Sequence, residues 1–169
     1  YKRQVLRNIS LFSMLNDQQL QDVQRVIMAR SYPKGQVLFH QGDPGNCLYL
    51  LTAGRLRIFV SSPDGREATV RMYGPGSSVG ELAVLDGKPR SASAIAIDTL
   101  KTMVLYREDF LKLLHEHISI TESVLAMLAE RVRYTTHYSE QLMFLSAPGR
   151  IAKTLLQLAA IESDLSRPA

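Results

Sequence analysis

Tryptophan is absent from the 169 residues, cysteine occurs once, and no apolar run approaches the length of a membrane span. Each shortage excludes something. Cys47 alone cannot close a disulfide within the chain or supply a four-cysteine iron–sulfur cluster, and a lone thiol fits a reducing, cytoplasmic setting. Without about eighteen consecutive apolar residues, neither a transmembrane helix nor a membrane partner is expected. The start, YKRQVLRNIS, lacks the continuous apolar stretch of a secretory signal, and its first residue, Tyr1 and not Met, points to a fragment. Charge of one sign is nowhere concentrated. The net charge of +4 is scattered with no dense Lys/Arg run, so it argues for solubility more than for nucleic-acid binding. Four histidines, His40, His115, His117 and His137, lack metal-ligand spacing, and no metal site is predicted. What remains, 46% hydrophobic and 21% charged, is the composition of a globular chain.

Glycine and proline are as informative in their distribution. Nine of ten glycines lie between Gly35 and Gly87, while none, and no proline, occurs from Arg107 to Leu145. Within the glycine-rich region short alternating segments recur: Gln36–His40, Cys47–Leu51, Arg55–Val60, Ala68–Met72, Ser93–Ile97 and Thr102–Leu105. Turn signals such as Gly42-Asp43-Pro44-Gly45 and Pro63-Asp64-Gly65 separate them. That pattern predicts an antiparallel β-roll or jelly-roll-like barrel. Helical spacing over residues 4–29, with Asn16 or Asp17 as an N-cap, adds N-terminal helices, so the fold class is α+β.

After a break near Ser119, a long helix is predicted from about Thr121 to Leu145. Ala147-Pro148-Gly149 ends it, and Arg150–Ile161 begins another helix striped by Ile151, Leu155, Leu158 and Ala159. The tail, Glu162–Ala169, reads as the edge of something longer. Leu125, Leu128, Val132, Thr135, Ser139 and Leu142 alternate three- and four-residue steps, an a/d seam. At 1.5 Å per residue the helix is about 37 Å long, more than a small barrel covers, so a homodimer through this helix is expected. The expected domains are 1–118 (β-roll with N-terminal helices), 119–146 (dimerisation helix) and 147–169 (hinge and following helix).

The chemistry concentrates in Val79–Ala92, VGELAVLDGKPRSA. Arg90 presents a planar fork matched to two phosphate oxygens, Pro89 fixes the chain before it, and small Ser91 and Ala92 leave room for an anion. Glu81 is an acceptor suited to a sugar hydroxyl. A Glu–Arg pair at this spacing is equally consistent with a salt bridge of little worth. Gly76-Ser77-Ser78-Val79-Gly80 formally matches a hydrolase nucleophile elbow, but that motif requires a parallel α/β sheet, and no enzyme is predicted.

The string G-E-L-A-x-L-x-G-x-P-R-S-A resembles the phosphate-binding cassette of cyclic-nucleotide-binding domains. Gly42-Asp43-Pro44 with Tyr49–Leu56 resembles the second and third strands of that domain. Phe144-Leu145 with Gly149–Leu156 resembles the hinge of the Crp-Fnr transcription regulators. The resemblance implies a cyclic-nucleotide-sensing, allosteric effector part of such a regulator, with cyclic AMP as ligand and cyclic GMP or no nucleotide as alternatives. It implies a site of Val79, Gly80, Glu81, Leu82, Arg90, Ser91 and Ala92, with Glu81 on the ribose 2′-hydroxyl and Arg90–Ser91 on the cyclic phosphate. Thr135 and Thr136 match positions that touch adenine from both subunits. DNA would be reached only through a C-terminal domain beyond this chain. A kinase or channel module, or a Crp-like domain with another effector such as a haem held by His40, is the competing reading. Ser77-Ser78 departs from the Asp and large aromatic common there in the family.

Overall fold

The computed structural model describes residues 2–165, with side chains described from 3 to 156. It forms two compact units, Tyr1–Leu125 and Ala126–Ala169. The first opens with α1 (Lys2–Arg7), a 3-10 turn (Ser10–Phe12) and α2 (Asp17–Val26). Asn16 starts α2 with a reciprocal cap: its side chain accepts from the Gln19 N–H, and the Gln19 side chain accepts from the Asn16 N–H, both at 3.0 Å. Such an arrangement satisfies two donors that a helix start otherwise leaves open.

Eight strands follow: β1 (Ile27–Tyr32), β2 (Val37–Phe39), β3 (Cys47–Ala53), β4 (Leu56–Ser61), β5 (Glu67–Tyr73), β6 (Ser78–Val79), β7 (Ser93–Ala96) and β8 (Leu100–Tyr106). They build two open four-stranded antiparallel sheets, in the orders β1-β8-β3-β6 and β2-β7-β4-β5. The roll is thus a pair of sheets and not the closed barrel that was one of the expected forms. Tyr49 and Leu51 of one sheet share a core cluster with Leu56, Ile58, Ala94 and Ala96 of the other. β3 is buried from Cys47 through Leu51, which explains why it reads as an unbroken apolar run.

The expected strands are present, but β1 falls where helix was expected. Ile27 caps α2 with extended backbone and passes directly into six consecutive pairs with β8, with no glycine or proline between to mark the change. α3 (Glu81–Asp86) joins β6 to β7, and α4 (Arg107–Glu116) follows β8. The break before the long helix falls at His117, two residues earlier than Ser119, so α5 runs Ile118–Phe144. The boundary between the two units lies within α5.

α6 (Ala147–Leu165) begins before Pro148-Gly149, so these residues start a helix instead of separating two. Proline in a first turn loses no hydrogen bond, and the Ser146 hydroxyl accepts from the Gly149 N–H at 3.4 Å. The break is Leu145-Ser146. Ile151 and Leu155 are exposed, as are Leu125, Val132 and Leu142 of the seam. Leu158 and Ala159 lie outside the described side chains, and the end of the Glu162–Ala169 tail lies outside the described residues. No described helix is long and apolar enough to cross a membrane.

Candidate functional site

Gly80 sets the local geometry. It stands between β6 and α3 at φ 95°, ψ 13°, a left-handed conformation that suits glycine. α3 then makes a turn and a half and stops at Gly87, also left-handed, whose N–H bonds the Ala83 carbonyl at 3.0 Å. The chain leaves this short helix at Lys88-Pro89 and arrives at Arg90. There the backbone is held from both sides by the turn after β2. The Arg90 N–H bonds the Asp43 carbonyl and the Gly42 N–H bonds the Arg90 carbonyl, each at 2.9 Å. Asp43 is itself fixed, because its carboxylate accepts from the His40 N–H at 2.7 Å.

The Arg90 side chain turns into the roll and is 4% exposed. Its Nη1 donates to the Gly80 carbonyl at 2.9 Å and its Nη2 to the Cys47 carbonyl at 2.7 Å, with the Cys47 Sγ at 3.6 Å. The guanidinium carbon lies 4.3 Å from the Phe39 ring centre and 5.8 Å from that of Tyr49, and the two rings stack at 5.7 Å. Nε makes no hydrogen bond. No carboxylate is among these contacts, so the simple Glu81–Arg90 salt bridge is not what the fold makes. Burial, followed by a hydrogen bond with Cys47, holds the Tyr49 phenol above its ordinary range.

Glu81, in the first turn of α3, is 1% exposed. Two charged side chains from opposite ends of the Val79–Ala92 segment are thus buried, which ordinary surface charges are not. Val79 is buried opposite Tyr49, Leu82 is 46% exposed, Ser91 is exposed and Ala92 is half-buried against the core. Ser78, 3% exposed, pairs with Leu50 in a two-residue antiparallel strand, so the parallel-sheet context of a nucleophile elbow is not present. Thr135 and Thr136 belong to the second unit. Both are exposed on α5, and each hydroxyl donates to the carbonyl four residues earlier, Arg131 and Val132, at 2.9 Å.

Reading the sequence missed the other half of the Arg90 environment. Phe39 and Tyr49 registered only as strand residues, Cys47 only as a strand residue and a lone thiol, and Gly45 only as a turn. A Cβ on Gly45 would collide with the Ala83 Cβ and approach Arg90 Nε at 3.2 Å. Spacing along the chain gives no hint of that approach, since it depends on how the β2–β3 turn folds onto α3. The histidines stay apart: His40 and His115 are exposed, His117 lies 3.6 Å from the Asp22 carboxylate, and His137 lies 3.4 Å from Glu140. Among the described residues no group of three or more potential ligands forms a metal site.

A family model, the cyclic nucleotide-binding domain, matches residues 29–117, which carry all eight strands but the first two residues of β1, together with the Arg90 pocket. The chain is 39% identical over 129 residues to the cyclic AMP receptor protein of Thermus thermophilus, covering 76% of this chain and 60% of that protein. It is 31% identical over 156 residues to a CRP-like cAMP-activated global transcriptional regulator of Mycobacterium tuberculosis, covering 92% and 70%. The crystal structure of the Thermus thermophilus catabolite activator protein superposes with a TM-score of 0.73 at 35% identity, over 89% of this chain and 71% of that one. The regulatory domain of Toxoplasma gondii PKA, solved with cAMP, gives 0.61 at 30% identity, over 66% and 42%. The chain therefore spans three fifths of the Thermus relative's length. It belongs to the cyclic nucleotide-binding domain family, of the Crp-Fnr type.

Proposed function

We propose that this chain is the cyclic-AMP-sensing effector part of a cytoplasmic, homodimeric DNA-binding transcription regulator. One observation carries the reading: a guanidinium buried in the roll, bonded to two carbonyls and the Cys47 sulfur and leaving Nε without an acceptor. Burying a cation away from water and from any carboxylate is unfavourable unless an anion meets it. A cyclic phosphate is such an anion, and Ser91 beside Arg90 adds a hydroxyl donor. Glu81 would take the ribose 2′-hydroxyl, with Val79, Gly80, Leu82 and Ala92 forming the wall. The Thermus and Mycobacterium relatives, named for cyclic AMP, support the choice of nucleotide.

Thr135 and Thr136 would read the adenine, one from each subunit, across helices paired through Leu125, Leu128, Val132 and Leu142. A ligand touched by both subunits favours one arrangement of the two helices, and the shift is limited by its affinity difference between arrangements. The Leu145-Ser146 break before α6 would pass that arrangement onward. Thr135→Ala should narrow the affinity ratio between cyclic AMP and cyclic GMP severalfold while leaving phosphate binding intact, as read by calorimetry. An unchanged ratio would remove the adenine role. The gene beyond Ala169 tests the regulator context: a helix-turn-helix pattern supports it, and its absence overturns it. A kinase regulatory module is the second reading, favoured by the likeness to the Toxoplasma domain.

A further inference from the structure

A second arginine in the first unit holds a nitrogen idle. Arg107, the first residue of α4, buries its Nε without a hydrogen bond, and among the described residues its guanidinium meets no carboxylate. Its backbone is fixed, because the Arg107 N–H bonds the Asn46 carbonyl at 2.8 Å and ties the start of α4 to the turn between β2 and β3. The guanidinium itself stands over the end of α3: a Cβ on Gly87 would lie 3.5 Å from Arg107 Nη2. A cation there suits the dipole of α3, but the Ala83 carbonyl at that end already accepts from the Gly87 N–H. The dipole therefore leaves the donors of the fork unanswered.

Arg107 lines an open cleft of about 490 Å³. Gly42 and Asn46 of the β2–β3 turn and Gly87 and Lys88 after α3 line it too, and all four are exposed, so the cleft opens to solvent. Gly45 belongs to the same lining, and a Cβ there would approach Arg90 Nε at 3.2 Å. One turn of chain thus stands between this cleft and the Arg90 pocket, which faces the interior of the roll. The charged side chains of the lining are both basic, Lys88 and Arg107. Lys88 is loosely held, with Nζ 3.9 Å from the Asp86 carboxylate and a side chain 80% exposed, a surface pair of little worth. Glu108 and Asp109, which follow Arg107, answer the dipole at the start of α4 and are not part of the lining.

We propose that this cleft is a second anion site, outside the roll, that takes the phosphate group of a small phosphorylated molecule. The donors converge from separate elements: the Arg107 fork from α4, the Lys88 ammonium from the turn after α3, and the Asn46 amide from the β2–β3 turn. A carboxylate has two oxygens in one plane, which a single guanidinium fork exhausts. A phosphoryl group has three terminal oxygens in a tetrahedral array and can meet all three donors. The cleft is far larger than one phosphate and falls within the roughly 300–1,000 Å³ of small-molecule sites, so an organic body accompanies the phosphate. The site is independent of whether a nucleotide occupies the Arg90 pocket.

The test follows the arginine Nε–H resonances of the isotope-labelled chain by nuclear magnetic resonance, with Arg107 assigned by the signal lost in Arg107→Lys. The probes are inorganic phosphate, phenyl phosphate and benzoate, each against chloride at matched ionic strength. A saturable shift of the Arg107 signal is expected with both phosphates, with phenyl phosphate binding more tightly and benzoate weakest. Followed at the Gly45 and Gly87 amides, Arg107→Lys should weaken phenyl phosphate about tenfold or more, as expected for a lost charge-assisted fork. Lys88→Gln, at an exposed position that does not endanger the fold, should weaken it about threefold. Arg90→Leu should leave this affinity unchanged. A shift no larger than that with chloride would overturn the proposal, and so would unchanged affinity in Lys88→Gln. Benzoate binding as well as phenyl phosphate would overturn the choice of phosphate. Loss of the shift in Arg90→Leu would place the anion in the roll and overturn the second site.

Discussion

Arg90→Leu is expected to remove nucleotide binding almost entirely while leaving the fold in place. Arg90 places a positive charge at the Cys47 and Gly80 carbonyls, and its planar fork is the group matched to a cyclic phosphate. Truncating one partner of a buried, hydrogen-bonded charge pair costs about 2–5 kcal/mol or more, on the order of thirtyfold to several thousandfold in affinity. Stability should respond much less. The two carbonyls lose a donor, at about 1–3 kcal/mol for a buried group left unsatisfied, but the pocket is also relieved of a desolvated cation. Leucine, moreover, is compatible with the faces of Phe39 and Tyr49 on which the guanidinium rests. Calorimetry and a thermal melt on the same preparation separate the two quantities. Affinity for cyclic AMP lost with a melting point near wild type is the expected pair. Affinity retained would place the phosphate elsewhere.

Gly80→Ala should be the second most damaging change, for a reason that can be isolated. At φ 95° an alanine carries a left-handed penalty of about 1–2 kcal/mol. For a chain of this length that lowers the melting point by about 2–8 °C. Its Cβ also meets Arg90 Nη1 and comes within 3.3 Å of the Cys47 carbonyl oxygen, so the guanidinium must leave its position. Gly65→Ala supplies the control: its φ is 82°, yet nothing lies within 4 Å of the added carbon. Both variants should lose stability to a similar degree, and only Gly80→Ala should also lose about tenfold or more in nucleotide affinity, as expected when a charge-assisted bond is displaced. Equal affinity in the two variants would mean that Arg90 does not need the place in which the structure holds it.

How much of this was legible beforehand follows from the range of each interaction. The six strands bounded by Gly and Pro turns were readable because turn chemistry and alternation are local. β1 was not, because it follows α2 without punctuation and owes its conformation to β8, more than sixty residues away. The start of α2 was readable from Asn16 or Asp17, and the structure chooses Asn16 through its reciprocal bonds with Gln19, while the break at His117 has no side-chain cap to mark it. In the pocket, Glu81 and Arg90 stood out because charge among small residues is conspicuous in one dimension. What surrounds Arg90 did not: Phe39, Cys47 and Tyr49 look like any strand residues until two sheets face each other. Gly45 is the clearest instance. The sequence shows a turn, and only the folded chain shows a turn pressed against Ala83 and Arg90. Thr135 drew notice because it interrupts an apolar seam and Thr136 only through the family resemblance, and their place on an exposed stretch of α5 leaves their hydroxyls bonded to their own helix.

The central claim is that the roll holds a cyclic nucleotide at Arg90, and its most direct test is a titration of the unmodified chain with cyclic AMP, followed by calorimetry and by thermal melting. Saturable binding of one nucleotide per chain is predicted, with a stabilisation approaching about 2.7 kcal/mol at a hundredfold excess over Kd. The absence of any heat or melting shift with either cyclic AMP or cyclic GMP, on a chain shown to be folded, would contradict it.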